Sequence, residues 1–163
     1  MGAPPTLPPP RPPRMNAPSH PTVPSLIGKY RVLRKLGEGT TSEVFLCHDD
    51  FNDLDVAVKR VRAHTLREAD GPLFARFFAS EAALAGRLQH PNVVQILDAV
   101  PDQVEPYVVM EYVPGSTLRE FCTPGHLLAL EQIVEIGFKC ARALGYCFRQ
   151  GLVHRDVKPA NIL

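Results

Sequence analysis

The run LVHRDVKPANIL, residues 152–163, gathers His154, Arg155, Asp156, Lys158 and Asn161 within eight consecutive positions. Asp156 offers a carboxylate able to accept a proton, Lys158 an ammonium two residues on, and Asn161 an amide oxygen that can ligate a hard cation. Pro159 forbids a helix interior, and the residue before it is pushed toward extended geometry, so the run is expected as a loop. Leu152, Val153, Ile162 and Leu163 hem it with apolar side chains, so it should be packed from beneath.

Two groups upstream could serve the same chemistry. In DVAVKRV a period of two puts Ala57 and Lys59 on one strand face and Val56, Val58 and Arg60 on the other. Glu81 falls on the apolar stripe of a helical pattern over 72–88, among Phe77, Phe78, Leu84 and Ala85. A lone buried carboxylate costs on the order of several kcal/mol, so a partner is required and Lys59 is the natural candidate. In LGEGTTSEVFLCHD, Gly37 and Gly39 lie between two strand-like runs, where missing β-carbons let backbone N–H groups approach a phosphate chain. A dinucleotide-binding turn must open a helix, but Val44, Phe45, Leu46 and Cys47 follow as a β-type run, and the pattern GxxxxGK[ST] is absent.

The elements that must position these groups are legible as short runs. YRVLRKL, EVFLCHD, LDVAVKRV, VQILDAV and PYVVMEYV suggest a five-stranded antiparallel sheet. One amphipathic helix interrupts them, with Pro72 at its start and Phe74, Phe77, Phe78, Leu84, Ala85 and Leu88 recurring at three and four. After Gly115 the pattern turns helical briefly near Leu118–Phe121. It does so at length from about Leu130 to Arg149, with Ile133, Ile136, Cys140, Leu144 and Cys147 on one face and Gly151 as the stop.

Composition narrows the setting. Eighteen basic residues against 17 acidic give a net charge of +1, so no long-range field argues for nucleic acid or an anionic membrane as partner. No apolar run reaches the ~18 residues that span a bilayer. Cys47, Cys122, Cys140 and Cys147 form no CxxC pair and follow no secretory segment, which fits a reducing, cytoplasmic location. Ten of the 17 prolines fall in the first 24 residues. That arm has little to bury and is expected to be disordered, either a linker or a ligand for an SH3-like groove.

GEGTTSEV, VAVK, the helix with Glu81 ahead of LQHPNVVQILD, and HRDVKPAN occur in one order, and together they resemble the eukaryotic-type (Hanks-type) protein kinases from about Tyr30 to Leu163. Lysine two residues after the aspartate in DVKPAN resembles the serine/threonine class, and the whole is similar to the bacterial members. The resemblance implies an α+β, protein-kinase-like fold. A disordered arm over 1–27 would precede a small lobe with hinge over 28–113, and 114–163 would begin the helical large lobe.

It also implies ATP and Mg2+ as cofactors and protein Ser/Thr hydroxyls as substrates. Lys59 would hold the α- and β-phosphates while pairing with Glu81. Asp156 would orient the hydroxyl and accept its proton, Lys158 would steady the transferred phosphoryl group, and Asn161 would bind magnesium. Leu36, Gly37, Gly39, Val44, Ala57, Lys59, Met110, Glu111, Val113 and Leu163 would line the nucleotide. Met110 would act as gatekeeper, and the backbone of Glu111 and Val113 would bond adenine. Arg155 is the position that, in relatives, a phosphorylated activation loop often neutralises.

Three residues depart from the common pattern. Ser42 replaces the third glycine of the loop and stiffens the turn; Val157 stands for leucine; Ala160 stands where basic-directed kinases carry an acid. No Asp-Phe-Gly, activation loop or Ala-Pro-Glu occurs within the 163 residues. The expectation is therefore a longer parent that phosphorylates Ser or Thr, and a 163-residue piece that turns over little. The alternatives are a catalytically silent nucleotide-binding or protein-interaction module, or a truncated gene product.

Overall fold

The computed structural model describes residues 24–62, 83, 86–101 and 104–163. Strands β1 (Leu26–Ile27), β2 (Tyr30–Glu38), β3 (Ser42–Asp49), β4 (Leu54–Val61), β5 (Ile96–Val100) and β6 (Tyr107–Glu111) form one sheet in the order β1-β2-β3-β4-β6-β5. All neighbours pair antiparallel. Two 3-10 turns, Leu118–Phe121 and Pro159–Asn161, and one long helix, α1 (Leu130–Arg149), complete the described elements. The helix expected over 72–88, with Glu81, lies outside the described residues except for 83 and 86–88, as does the proline arm up to residue 23.

The sheet has six strands where the sequence suggested five. The addition is β1, whose two residues pair as Leu26 with Arg31 and Ile27 with Tyr30. Two residues are too few for alternation to be visible, and pairing to β2 alone defines them. The other five runs form strands, with β6 inserted between β4 and β5.

Register sorts the side chains. Phe45 opposes Val58, Cys47 opposes Val56, and Val58 opposes Val109, so these apolar residues share a face. With Ile27, Tyr30 and Tyr107 they form the larger core cluster. The opposite face carries Val44, Leu46, Ala57, Lys59, Val108 and Met110, as Val44 opposes Lys59 and Ala57 opposes Met110. Here Val61 and Val108 are buried, with Ile96, Ala99 and Met110 packed against them. Strand β4 is central and covered on both sides, which is why Val56, Ala57 and Val58 are buried in succession.

The β1–β2 turn seats the larger cluster. Gly28 has φ +57, and a β-carbon there would stand 2.0 Å from the Tyr107 hydroxyl oxygen. Tyr107 packs edge-on against Tyr30, ring centroids 6.2 Å apart, and the Tyr30 hydroxyl donates to Asp98 at 3.2 Å. Gly28→Ala is expected to destabilise by about 2–4 kcal/mol, combining left-handed strain with overpacking. Urea unfolding measures this; a variant as stable as the parent means the turn is not seated on Tyr107.

Between β3 and β4 the turn is built on Asp49, which is only 5% exposed. Its carboxylate accepts the backbone N–H groups of Phe51 (3.1 Å) and Asn52 (3.3 Å) and the Asn52 side-chain amide (2.8 Å), with Lys29 at 3.4 Å. The Asn52 hydrogen bonds and Lys29 hold its carboxyl below the usual range. This is an Asx turn, satisfied within a few residues.

At the start of α1, Gln132 Oε1 accepts the Ala129 N–H at 3.2 Å. The helix stops as the sequence suggested: Gly151 has φ +78, its N–H reaches the Phe148 carbonyl at 3.0 Å, and the Leu152 N–H reaches that of Cys147 at 2.9 Å. This paired arrangement ends the helix and launches residues 152–163 in a set direction. All four cysteines are free, and Cys47 is fully buried. Among the described residues, no helix is long and apolar enough to cross a membrane.

Candidate functional site

Residues 152–158 form a loop, and 159–161 a single 3-10 turn with Pro159 at its start, as the proline requires. Arg155 adopts φ +61, which turns the chain sharply before Asp156. His154 secures the bend from behind, its Nδ1 accepting the Asp156 N–H at 3.3 Å. The sequence alone assigns His154 no task; the signal is the i, i+2 spacing of an acceptor ring to a backbone donor.

Asp156, Lys158 and Asn161 converge. The Lys158 ammonium lies 2.8 Å from Asp156 Oδ2, and the Asn161 side-chain amide donates to the same oxygen at 2.9 Å and to the Asp156 carbonyl at 2.8 Å. Among the described residues, Asp156 Oδ1 receives no hydrogen bond, and the side chain is 61% exposed. The Lys158 contact first, and the Asn161 donor second, hold the carboxyl below its usual range. Asn161 spends its N–H groups on Asp156, which leaves its own Oδ1 as the exposed oxygen. This loop is also tied to the turn at 118–121, where the Leu118 N–H donates to the Ile162 carbonyl at 2.8 Å.

The other candidates lie on the sheet and the segment after it. Val44, Ala57, Lys59 and Met110 share one sheet face by register. Lys59 is not without a partner; its expected partner Glu81 lies outside the described residues. Leu36 falls in a β-bulge between Lys35 and Gly37, where the extra residue re-aims the strand.

Neither Gly37 nor Gly39 has a positive φ, and an added β-carbon would meet nothing within 4 Å at Gly37 and only the Ser42 carbonyl, at 3.9 Å, at Gly39. Neither backbone strain nor packing demands glycine at these positions; what the glycines keep clear is the space above them. The Gly39 N–H is engaged with the Ser42 carbonyl at 2.8 Å, so Gly39 supplies an unobstructed surface rather than a donor.

Glu111, Val113, Lys158, Asn161 and Leu163 open onto a common cavity of about 550 Å3, floored by the apolar face of α1 through Ile136, Cys140, Ala143, Leu144 and Cys147. Leu36, Gly37, Gly39, Val44, Ala57, Lys59 and Met110 are not among its walls. The end of β6 and the 152–163 loop thus meet at one space. Of the helix face expected from spacing, Ile136, Cys140, Leu144 and Cys147 line this cavity, whereas Ile133 is half exposed.

Comparison with known proteins gives this arrangement a family. The protein kinase domain model matches residues 30–163. The chain is 41% identical over 140 residues to a probable serine/threonine-protein kinase of Streptomyces coelicolor, covering 83% of this chain and 20% of that protein. It is 37% identical over 136 residues to serine/threonine-protein kinase PrkC of Bacillus subtilis, covering 83% of this chain and 20% of that one. Against serine/threonine-protein kinase PknB of Mycobacterium tuberculosis it is 38% identical over 153 residues, 91% of this chain and 23% of the relative. The solved PknI kinase domain of Mycobacterium tuberculosis superposes with a TM-score of 0.72 at 29% identity, covering 86% of this chain and 56% of that domain. The chain therefore spans about a fifth of the length of these curated relatives. A match that runs from the first residue of β2 through the Asp156 loop, with the sheet and α1 in the same arrangement as a solved relative, means that this chain belongs to the protein kinase domain family.

Proposed function

We propose that the protein transfers the terminal phosphoryl group of ATP to Ser or Thr hydroxyls of proteins. The observation that carries this reading is the loop at Asp156, where both donors fall on one carboxylate oxygen and the other accepts no hydrogen bond from the described residues. That free oxygen is an acceptor for a substrate hydroxyl, and Lys158, at its side, would meet the incoming phosphoryl charge. A carboxylate held ionised serves chiefly to orient the hydroxyl and takes its proton late, as fits a loose phosphoryl transition state.

In this reading residues 28–113 are the small lobe with its hinge and 114–163 begin the large lobe. The open space over Gly37 and Gly39 receives the phosphates, Lys59 holds them while paired with Glu81, and Val44, Ala57 and Leu163 enclose adenine. Leu36 roofs it, Met110 limits its depth, and the backbone of Glu111 and Val113 bonds its edge. Asn161 fits a magnesium ligand, since its amide nitrogen is committed to Asp156 and its oxygen is left exposed. Held there, magnesium would offset the negative charge of the phosphates. Among the described residues no group of three His, Cys, Asp or Glu side chains could hold a metal ion, so Asn161 would need further ligands.

The test uses the full-length protein, ATP labelled in its γ-phosphate, and a mixture of protein substrates. Label should appear on serine and threonine and should require magnesium; absence of label from all hydroxyl residues overturns the assignment. A polypeptide of these 163 residues, which include no Asp-Phe-Gly, should bind ATP but transfer little. If the full-length protein binds ATP equally well with and without magnesium and labels nothing, the silent nucleotide-binding module is the better description.

A further inference from the structure

On the Phe45 face of the sheet, where the glycine-bearing β2–β3 hairpin begins, six charged side chains from three strands and two connecting segments converge. Glu43 accepts from Lys35 of β2 at 2.8 Å and from Arg60 of β4 at 3.0 Å, with Arg62 beyond β4 at 3.5 Å. Arg62 also reaches Glu38 at 3.0 Å, and Lys35 bonds Glu38 as well. Arg60 extends its other amino group to Glu105 at 3.0 Å and lies 5.2 Å over the Phe45 ring.

The two central members are sheltered, Glu43 16% and Arg60 17% exposed at the side chain, so salt screens them less than an ordinary surface pair. Three cations surround one carboxylate, and the hydrogen bond from Lys35, then that from Arg60, keep the Glu43 carboxyl below its usual range.

Register gives this cluster its consequence. Glu43 opposes Arg60, and one residue along, on the other face, Val44 opposes Lys59. Beyond the pair, the hairpin tip at 39–42 is held by the Gly39–Ser42 bond and by the Arg62 N–H donating to the Thr41 carbonyl at 3.1 Å. Arg62 therefore grips the tip through its backbone and the hairpin base through its side chain.

We propose that Glu43 is a positioning residue for the glycine hairpin. By drawing β2 and β4 onto one carboxylate, it holds the tip at a set height over Lys59 without touching nucleotide. The value of that height rests on the nucleotide reading above; the holding itself does not. Ser42, in place of a third glycine, and the Glu43 cluster act in the same sense, toward a stiff hairpin.

The experiment compares the full chain with Glu43→Gln, Glu43→Asp, and Arg31→Gln as a control that breaks the exposed Arg31–Asp50 pair at the far end of β2. Amide hydrogen exchange without nucleotide should accelerate about tenfold at 37–44 in Glu43→Gln, the scale of one charge-assisted hydrogen bond. It should accelerate less in Glu43→Asp and stay unchanged at 37–44 in Arg31→Gln. In the full-length protein the KM for ATP should rise about three- to tenfold in Glu43→Gln, with kcat within about twofold. Hairpin amides exchanging at the parent rate overturn the proposal, as does uniform acceleration over β5 and β6, which marks a merely stabilising residue. Accelerated exchange with an unchanged KM overturns the link to nucleotide. Failure of the parent itself to bind ATP defeats the nucleotide reading and leaves the exchange result standing.

Discussion

In the full-length protein, Asp156→Asn is expected to lower phosphoryl transfer about 10²- to 10⁴-fold while leaving ATP affinity within about twofold. The substitution keeps size and shape but replaces a charged acceptor by a neutral amide. Lys158 and Asn161, now 2.8 and 2.9 Å from an ionised oxygen, lose their charged partner, and on the proposed function a substrate hydroxyl loses its acceptor. Steady-state kinetics with saturating ATP measures the loss; a variant retaining more than a tenth of the rate assigns the proton acceptor elsewhere.

The pH profile supplies a second handle. The Asp156 carboxyl titrates below its ordinary value because of Lys158 and then Asn161. A depressed pKa means that the charged form persists down through the usual carboxylate range and is lost only as pH falls through the lowered value. Asp156 therefore contributes no fall in rate near neutrality, and an acid limb there belongs to another group. Lys158→Met should move the Asp156 titration upward, readable by carboxyl NMR.

Phe45→Ala is expected to remove about 3–5 kcal/mol of unfolding free energy, a large share of the roughly 5–15 kcal/mol that holds an ordinary domain. Phe45 is 1% exposed and packs in the cluster with Cys47, Val58, Tyr107 and Val109. Truncation leaves a cavity between three strands and strips Arg60 of the ring it covers at 5.2 Å. Phe51, 89% exposed at the β3–β4 turn, is the control, and Phe51→Ala should change stability by less than about 0.5 kcal/mol. Equal effects at the two positions in urea unfolding would mean that the Phe45 cluster is not the core.

Much of this architecture could be read from residue order, and particular residues show why. Alternation in LDVAVKRV separates Lys59 from Arg60, and the register places them on opposite faces. Gly151 ends α1, and Pro159 opens the turn at 159–161, because each acts through its own backbone freedom or lack of it. β1 escaped notice because two residues carry no period, and its place depends on Gly28 fitting beneath Tyr107. The insertion of β6 between β4 and β5 has no local signature at all.

The same division runs through the candidate site. The order of motifs from Gly37 to Asn161 was enough to name the family and to suggest the chemistry proposed here, since carboxylate, ammonium, amide and glycine carry their properties wherever they stand. Which oxygen of Asp156 is occupied, which Asn161 atom is exposed, and that Glu43 gathers Lys35, Arg60 and Arg62 were decided by tertiary structure alone. Residue type and spacing set what a group can donate or accept and which way a strand or turn runs. Distances between groups far apart along the chain follow only from strand register and packing, which couple residues that no local pattern connects.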